Sequence, residues 1–326
     1  MNTSQLLSPW IDSRKSSADN WSERQWCDHL TQLELALNLP KFCEKSAKAK
    51  IIGFGEISTI LQFNEQPTWV FKRMPIFDSI VQAKEYQQRY CQYNQLLSQA
   101  GINIADGFEV VTDGNPVALY LIQQAFQSQQ IGNRALHAAP LDKQKLIIGN
   151  IFQQIEKIFL FNQQSGNEFL LSCDGQVSNW AINESHVYYI DTSTPLYKKN
   201  GVEKLEYELL LKSTPRFMRG IIRRFFLKEV LERYYHKEQV YMDLIANLYK
   251  EKLVHLVPIA IKLANKNLKS DSNFDQVLNQ NDVKNYYSRD KLIWRLFLAL
   301  RKIDRWLHRY VWRKPYQYLL PDKIER

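Results

Sequence analysis

The spacing of apolar residues changes character along this chain, and the change limits which folds it can adopt. Between residues 49 and 74, short apolar blocks predict three β-strands, separated by a glycine-containing loop and by a turn at residues 64–67. A long helix is predicted over residues 78–99, and two more strands over 108–112 and 117–122. The sequence therefore predicts an antiparallel sheet in its first part.

Helical spacing dominates the rest of the chain. One helix is predicted over residues 142–163, and a second hairpin follows, with its first arm over 170–182 and its second over 187–191. From about Val202 onward the pattern is almost entirely helical, with a polar break at 269–281. The expected fold class is α+β, with a small sheet lobe followed by a mostly helical lobe.

The length of 326 residues suggests more than one domain. We expect four regions, which are a helical extension over residues 1–48, a sheet lobe over 49–125, a helical lobe over 126–270 and basic amphipathic helices over 271–326. The helix of the extension is predicted to begin after Ser22, a good N-cap residue, and to end before Pro40.

No secretory signal peptide and no apolar run long enough to span a membrane are visible in the sequence. The four cysteines are scattered without a C-x-x-C pair, which argues against a disulfide framework and a structural zinc site. We therefore expect reduced thiols and a cytoplasmic location, with the inner membrane surface as a peripheral alternative.

A series of glycines and polar residues follows the order of the predicted strands and helices. They begin with a glycine loop at the head of the first hairpin and end with an aspartate that closes the last strand of the second. The series is Gly53-x-Gly55-x-x-Ser58, Lys72 inside a strand, Glu85 inside the next helix, Asp174 with Asn179 five residues later, and Asp191.

In these residues and in the order of its elements, the region from Ile51 to Thr194 resembles the protein-kinase-like superfamily. Within that superfamily, the pattern of residues most resembles the aminoglycoside phosphotransferase and choline kinase branch, or an atypical bacterial kinase. The resemblance implies a two-lobed fold that uses ATP and Mg²⁺.

The resemblance also implies a role for each polar residue. Lys72 would contact the phosphates and pair with Glu85, which holds the ammonium in place. Asp174 would accept or orient the proton of the attacking hydroxyl, and Asn179 and Asp191 would supply oxygen ligands to Mg²⁺.

The resemblance implies further residues that would contact the nucleotide. Gly53, Gly55 and Ser58 would cover its phosphates. Backbone groups between Gln123 and Ala125, where the superfamily joins its two lobes, would meet the adenine. Its apolar walls would be Ile57, Val70 and Ile182.

Several positions depart from the pattern of protein kinases. Ser172 and Cys173 precede Asp174 where histidine and arginine are usual, and Asp191 is followed by Thr192 and Ser193 rather than by phenylalanine and glycine. These departures favour phosphorylation of a hydroxyl on a small molecule or lipid head group over a protein substrate. Two alternatives stay open, adenylyl transfer on the same fold and a non-catalytic pseudokinase that binds a partner.

Charge is distributed unevenly. Residues 1–211 hold 18 basic and 22 acidic side chains, a net charge of −4, and residues 212–326 hold 25 and 12, a net charge of +13. Residues 289–314 alone carry nine basic side chains against two acidic ones, interleaved with tryptophan and tyrosine. A second basic cluster at 216–228 is a candidate contact for a phosphorylated acceptor.

Three interpretations of the basic terminal helix remain open. Its apolar stripe, which includes Ile293, Leu296, Ile303 and Tyr310, could pack on the helical lobe and leave a solvated basic face. The helix could instead lie on an anionic membrane surface, or bind RNA. No stable protein partner is predicted.

Overall fold

The computed structural model describes residues 21–37, 49–55, 58–166, 168–212, 219–220, 231–269 and 278–311. Some predictions fall outside these ranges. They are the role of Ile57 at the adenine, the first 20 residues of the extension, the basic cluster at 216–228 apart from Arg219, and the last basic residues of the chain.

The sheet part of the chain contains two helices and five strands among the described residues. In chain order they are α1 Glu23–Leu37, β1 Ala49–Phe54, β2 Thr59–Phe63, β3 Trp69–Arg73, α2 Ile80–Gln99, β4 Gly107–Val111 and β5 Leu119–Gln124.

The remaining described elements are mostly helices, with short strands between the second and third of them. They are α3 Gly132–Ala138, α4 Leu141–Gln164, β6 Phe169–Leu171, β7 Trp180–Asn183, β8 His186–Tyr189, β9 Tyr197–Lys199, β10 Val202–Glu203, α5 Tyr207–Lys212, α6 Lys237–Lys250, α7 Val257–Lys269 and α8 Gln280–Trp306, which continues as a π-helical turn, Leu307–Val311. The predicted α+β class, with an antiparallel sheet first and helices after, is confirmed.

The described chain groups into two compact units. Residues 21–92 and 105–125 form the sheet unit, and residues 93–104 and 126–311 form the helical unit. The chain leaves the sheet unit for the last time in its described part between Ala125 and Phe126. Residues 93–104, which the sequence analysis assigns to the sheet lobe, belong to the helical unit because the second half of α2 packs there.

The sheet unit is built on one antiparallel sheet with the strand order β1-β2-β3-β5-β4. Helix α1 covers one face of it, where Trp26, Leu30 and Leu33 form a common core with strand residues such as Phe71 and Ile122. The helix begins as predicted, since the Gln25 backbone N–H donates to Ser22 Oγ at 3.3 Å.

The helical unit has its core between α4, α6 and α7, whose buried side chains are mostly aliphatic or aromatic. The buried face of α4 repeats every three to four residues through Ile147, Ile151, Ile155 and Ile158. Strands β7 and β8 form a separate two-stranded hairpin, and β6, β9 and β10 form a three-stranded sheet.

Two further expectations concern the whole chain. Cys27, Cys91 and Cys173 are free thiols, as expected for the cysteines that lie in described segments. Within those segments no helix combines the length and the apolar character that crossing a bilayer requires.

Candidate functional site

Lys72 lies in the third strand of the sheet, in a row of residues that spans four neighbouring strands. It is directly opposite Ile60 on β2 and Leu121 on β5, and Leu121 is opposite Glu109 on β4. Since residues paired in this way point to the same face of an antiparallel sheet, Lys72 and Glu109 share a face. That face carries α2, because the Cys91 thiol and the Gln87 amide both contact the Glu109 carboxylate. Lys72 itself is buried, with 7% of its surface exposed.

Glu85 does not join Lys72. Its side chain is 57% exposed, and its ion pair within the described chain is with Arg89, one turn further along α2, at 3.9 Å. The buried face of α2 runs instead through Ala83, Tyr86 and Tyr90. The predicted pairing of Lys72 with Glu85 is therefore wrong, because Glu85 lies on the solvent side of the helix.

Gly55 and Ser58 lie at the head of the β1–β2 hairpin. The Gly55 N–H donates to the Ser58 carbonyl at 2.9 Å, so this donor is used within the hairpin. A Cβ atom at position 55 would lie 2.6 Å from Ser58 Oγ, which explains a glycine there. Gly53 lies in the row of Lys72, opposite Ile60. Whether Gly53, Gly55 and Ser58 contact phosphate stays a prediction.

The backbone at the end of β5 is paired with the strands on both of its sides. The Ala125 N–H donates to the Thr68 carbonyl at 2.7 Å, and the Gln124 N–H donates to the Asp106 carbonyl at 2.8 Å. Gln123 is paired with Val70. Strand pairing thus continues one residue beyond the end of β5 and uses the Gln124 and Ala125 N–H groups. Whether backbone groups between Gln123 and Ala125 contact adenine stays a prediction.

The helical unit brings three of the predicted residues together. Asn179 Nδ2 donates to the backbone carbonyl of Asp174 at 3.4 Å, across the loop that joins them. The Ile190 N–H donates to the Asn179 carbonyl at 2.9 Å, extending the β7–β8 hairpin by one pair. Asp191 therefore follows directly after the residue that is bonded to Asn179. Asn179 thus contacts the backbone of Asp174 and is paired with the residue before Asp191, although 17 positions separate the two aspartates. Ile182 is buried on the strand that leads away from them.

Two buried tyrosines, Tyr93 and Tyr189, contact the backbone at and just before Asp174. Burial raises the pKa of Tyr93 and of Tyr189 well above the ordinary value, and the charges of Asp174 and Asp191 both act in the same direction on each ring. The Tyr189 hydroxyl also accepts the Asp174 backbone N–H at 3.1 Å, and the Tyr93 hydroxyl donates to the Ser172 carbonyl at 2.7 Å.

Asp174 is held by a residue that the sequence analysis did not identify. Gln176 donates to the Asp174 carboxylate through its backbone N–H, at 3.1 Å, and through Nε2, at 3.4 Å. The Gln176 Oε1 in turn accepts from Lys250 at 2.9 Å and from Asn247 at 3.2 Å, both on α6. An aspartate followed two residues later by a backbone donor is an Asx-turn, a signal that could have been recognised. The contribution of α6 could not.

Asp191 is held by its own loop. Ser193 Oγ donates to Asp191 Oδ1 at 2.7 Å. Ser193 stands where protein kinases usually have a glycine, and its hydroxyl orients the Asp191 carboxylate. In both loops the donor belongs to the residue two positions after the aspartate, a backbone N–H at Gln176 and a side-chain hydroxyl at Ser193.

The donor set suits a hard divalent cation. Asn179 uses its Nδ2 toward Asp174, which identifies its Oδ1 as the atom available for a metal, and Asp191 adds a carboxylate. Mg²⁺ binds through one or two such oxygens and keeps several waters. No group of three or more His, Cys, Asp or Glu side chains that could hold a metal occurs in the described segments, so a site of the zinc type is not indicated there.

Comparisons with known proteins give a family and similar solved structures. A family model described as a family of unknown function, DUF6206, matches residues 49–305. No curated protein matches. Among solved structures, the chain is similar to the GDP complex of a mutant of aminoglycoside 2'-phosphotransferase-IIIa, at 10% identity and a TM-score of 0.33, over 77% of this chain and 99% of that one. At so low a score the likeness adds nothing to the assignment of individual residues.

Proposed function

The chain belongs to DUF6206, a family of unknown function, and from its own residues we propose that it is a nucleotide- and Mg²⁺-dependent phosphotransferase acting on a hydroxyl of a small molecule or lipid head group. The observation that carries the proposal is the grouping of Asp174, Asn179 and Asp191 around two buried tyrosines. A base that can take a proton, beside a pair of magnesium ligands, is the minimum that phosphoryl transfer from ATP requires.

In the proposed reaction, the oxygen of the acceptor hydroxyl forms a bond to the γ-phosphorus of ATP, and the bond from that phosphorus to the β–γ bridging oxygen breaks. ADP leaves with the bridging oxygen. The hydroxyl proton passes to the Asp174 carboxylate. Gln176 keeps that carboxylate in one orientation through two hydrogen bonds.

Asn179 Oδ1 and Asp191 would hold the cation that neutralises charge on the phosphates, the chemistry that Mg²⁺ supplies when bound. Ser193 fixes the Asp191 carboxylate for this purpose. Lys72 is proposed to contact the phosphates. Its burial in the middle of a strand favours a fixed position for the ammonium over the motion of a surface lysine.

The first test measures binding of ATP by the full chain, with Mg²⁺ and with EDTA in its place, as a shift in melting temperature and by calorimetry. We expect a stabilisation that depends on Mg²⁺ and that Asp191→Ala removes. Asp142→Ala, on the exposed start of α4, is the matched control and should behave as wild type. Absence of Mg²⁺-dependent ATP binding in the wild type would contradict the proposal. Wild-type binding by Asp191→Ala would remove Asp191 from the metal site.

The second test follows transfer. ATP labelled at the γ- or, separately, at the α-phosphate is incubated with the protein and with fractionated small-molecule and lipid extracts. Label moving from the γ-position supports the proposed reaction, and Asp174→Asn should slow it by about a hundredfold or more. Label moving only from the α-position indicates adenylyl transfer. Binding without any transfer indicates a pseudokinase.

A further inference from the structure

The last described helix, α8, contacts the rest of its unit along one side. The Tyr286 hydroxyl donates to Asp243 of α6 at 3.3 Å, and Arg233 pairs with Asp290 at 3.4 Å. Val283 and Asp304 are buried. At about 100° per residue, these four positions fall within roughly 60° of one another around the helix axis, which defines its inner side.

The opposite side of α8 and of the turn that follows it is apolar and exposed. Leu292 is 67% exposed, Trp306 55% and Tyr310 63%, and Leu296 and Ile303 are also exposed. At about 100° per residue, the three aliphatic side chains fall within roughly 40° of one another, and the two aromatic ones lie beside them. We call these five residues, Leu292, Leu296, Ile303, Trp306 and Tyr310, the terminal stripe.

This arrangement contradicts the interpretation in which the apolar residues of the helix pack on the helical lobe. Ile293, Leu296, Ile303 and Tyr310, four members of the expected stripe, are exposed. The inner side holds polar contacts instead, through Tyr286 and Asp290. A row of exposed large apolar residues on a monomer usually marks a surface that binds something.

The charges next to the terminal stripe are positive. Lys291, Arg295 and Lys302 are exposed along one of its edges, and Arg289 lies near the other. The two acidic residues between positions 289 and 311, Asp290 and Asp304, lie on the inner side, and Asp282 precedes the stripe in the first turn of α8. The outer face therefore combines apolar area with positive charge. It is complementary to a partner that combines apolar area with negative charge.

We propose that the terminal stripe docks on an anionic lipid bilayer surface. Aliphatic side chains enter the acyl boundary, Trp306 and Tyr310 lie at the level of the head groups, and the lysines and arginines meet the anionic phosphates. RNA would use the aromatic rings and the cations, but it offers no apolar surface to Leu292, Leu296 and Ile303. The three aliphatic residues are what favours the membrane.

The test is co-sedimentation of the full chain with vesicles of phosphatidylcholine alone and of phosphatidylcholine mixed with phosphatidylglycerol. We expect binding to the mixed vesicles, weak binding to the neutral ones, and a decrease as salt rises from about 0.1 M to about 1 M, where the Debye length falls from about 10 to about 3 Å. Protein that stays in the supernatant with both vesicle types would overturn the proposal.

Two variants separate the apolar and the charged contributions. The triple variant Leu292→Ser, Leu296→Ser, Ile303→Ser should lose binding to mixed vesicles by about tenfold or more. The pair Arg295→Glu, Lys302→Glu should weaken it by at least about tenfold, because each basic residue near an anionic surface strengthens partitioning about fivefold. All five side chains are exposed, so folding should be unaffected.

Helix α4 offers matched controls. It exposes three leucines, and the triple variant Leu141→Ser, Leu146→Ser, Leu160→Ser removes the same kind of surface elsewhere on the same unit. The exposed Lys143 and Lys145, each changed to Glu, match the charge reversal. Both controls should sediment as wild type.

The remaining outcome concerns nucleic acid. A labelled single-stranded oligouridine is titrated into the wild type and into the triple variant of α8. Oligouridine binding without vesicle binding would overturn the proposal in favour of RNA. Vesicle binding that survives loss of all three aliphatic residues would also overturn it. The proposal goes beyond the phosphotransferase function and does not depend on it, since neither vesicle nor oligouridine binding involves Asp174 or Asp191.

Discussion

Glu34 of α1 accepts hydrogen bonds from Arg73 Nε at 2.6 Å and from Arg73 Nη2 at 2.8 Å, in a pair that is almost fully buried. The Tyr120 hydroxyl donates to the same carboxylate. Burial by itself lowers the pKa of Arg73, but the hydrogen bond and charge of Glu34 outweigh it and the pKa is raised. Arg73 follows Lys72 in β3 and points to the opposite face of the sheet. The Glu34–Arg73 pair therefore links α1 to the strand that carries Lys72, the candidate phosphate ligand.

Removing one partner of this pair should be costly. Glu34→Ala leaves the Arg73 guanidinium buried without its carboxylate, and we expect the free energy of unfolding to fall by about 3–5 kcal/mol. Gln32→Ala, on the exposed side of the same helix, should change it by no more than about 0.5 kcal/mol. Urea unfolding followed by circular dichroism measures both. Equal effects of the two substitutions would mean that the pair contributes nothing.

Replacing all three members of the cluster should be far less damaging than breaking it. Glu34→Leu, Arg73→Met and Tyr120→Phe combined remove both charges and the hydroxyl, and leave no buried polar group to be satisfied. We expect this variant to recover most of the stability that Glu34→Ala loses, because well-packed apolar residues replace a buried ion pair at little cost. A triple variant no more stable than Glu34→Ala would show that packing, and not charge, accounts for the loss.

Gln176 should act on catalysis through Asp174. Gln176→Leu removes the Nε2 bond to the Asp174 carboxylate and the contacts from α6, and keeps a side chain of similar size. In the γ-labelled ATP assay we expect kcat to fall about tenfold to a hundredfold, with the KM for ATP nearly unchanged, because the misplaced group is the one that takes the proton. Gln164→Leu, at the exposed end of α4, is the control. A rise in KM with unchanged kcat would assign Gln176 to binding instead.

Strong local periodicity made most elements predictable. The helix expected over 78–99 is Ile80–Gln99, and the one expected over 142–163 is Leu141–Gln164. The hairpin that brings Asn179 and Asp191 together also follows from its turn and its alternating residues. Local signals suffice where the contacts are local.

The predictions fail where the orientation of a side chain depends on the rotation of its helix, or where its contacts are with residues far away in the sequence. Glu85 is one residue away from Tyr86, which is buried, and a shift of about 100° is enough to send it to solvent. The sequence does not show which side of α2 is buried, because tyrosine is found on both the buried and the exposed faces of polar helices. Gln176 was missed since its partners, Asn247 and Lys250, are more than 70 positions away. No local pattern contains that contact.

Asp243 should make stability depend on pH. Burial raises its pKa from 3.8 to about 6, with Arg233 opposing the rise and Asp290 adding to it. The folded chain therefore keeps a proton that the unfolded chain releases, and stability falls as the pH rises from 3.8 to about 6 and stays low above that. Lys250 and Tyr286 are the other polar groups that face the carboxylate.

The comparison is with Asp243→Asn, which cannot ionise. Across that pH range, wild type should lose stability relative to this variant by an amount on the order of 2 kcal/mol. Asp28→Asn, on the exposed side of α1, controls for the change in net charge. Melting temperature and urea unfolding at several pH values provide the measurement. A difference between wild type and Asp243→Asn that is constant with pH would contradict the assignment.

Two glycines on neighbouring helices should respond to alanine in opposite directions. Gly132 begins α3 and is buried, and a Cβ atom there would lie 2.0 Å from the Val177 carbonyl oxygen and 3.1 Å from that of Trp180. These carbonyls belong to the segment that follows Asp174, so Gly132→Ala pushes directly on the candidate catalytic loop. We expect a loss of about 1–3 kcal/mol in the free energy of unfolding, and a fall in turnover.

Gly149, in the middle of α4, has open space where a Cβ atom would be added. Gly149→Ala should therefore stabilise the chain by about 0.5–1 kcal/mol, since alanine is the better helix former and the unfolded chain loses freedom. Urea unfolding of the two variants, in parallel with the γ-labelled ATP assay, tests both signs. If Gly132→Ala were as stable and as active as Gly149→Ala, the close approach of α3 to the loop after Asp174 would not exist in solution.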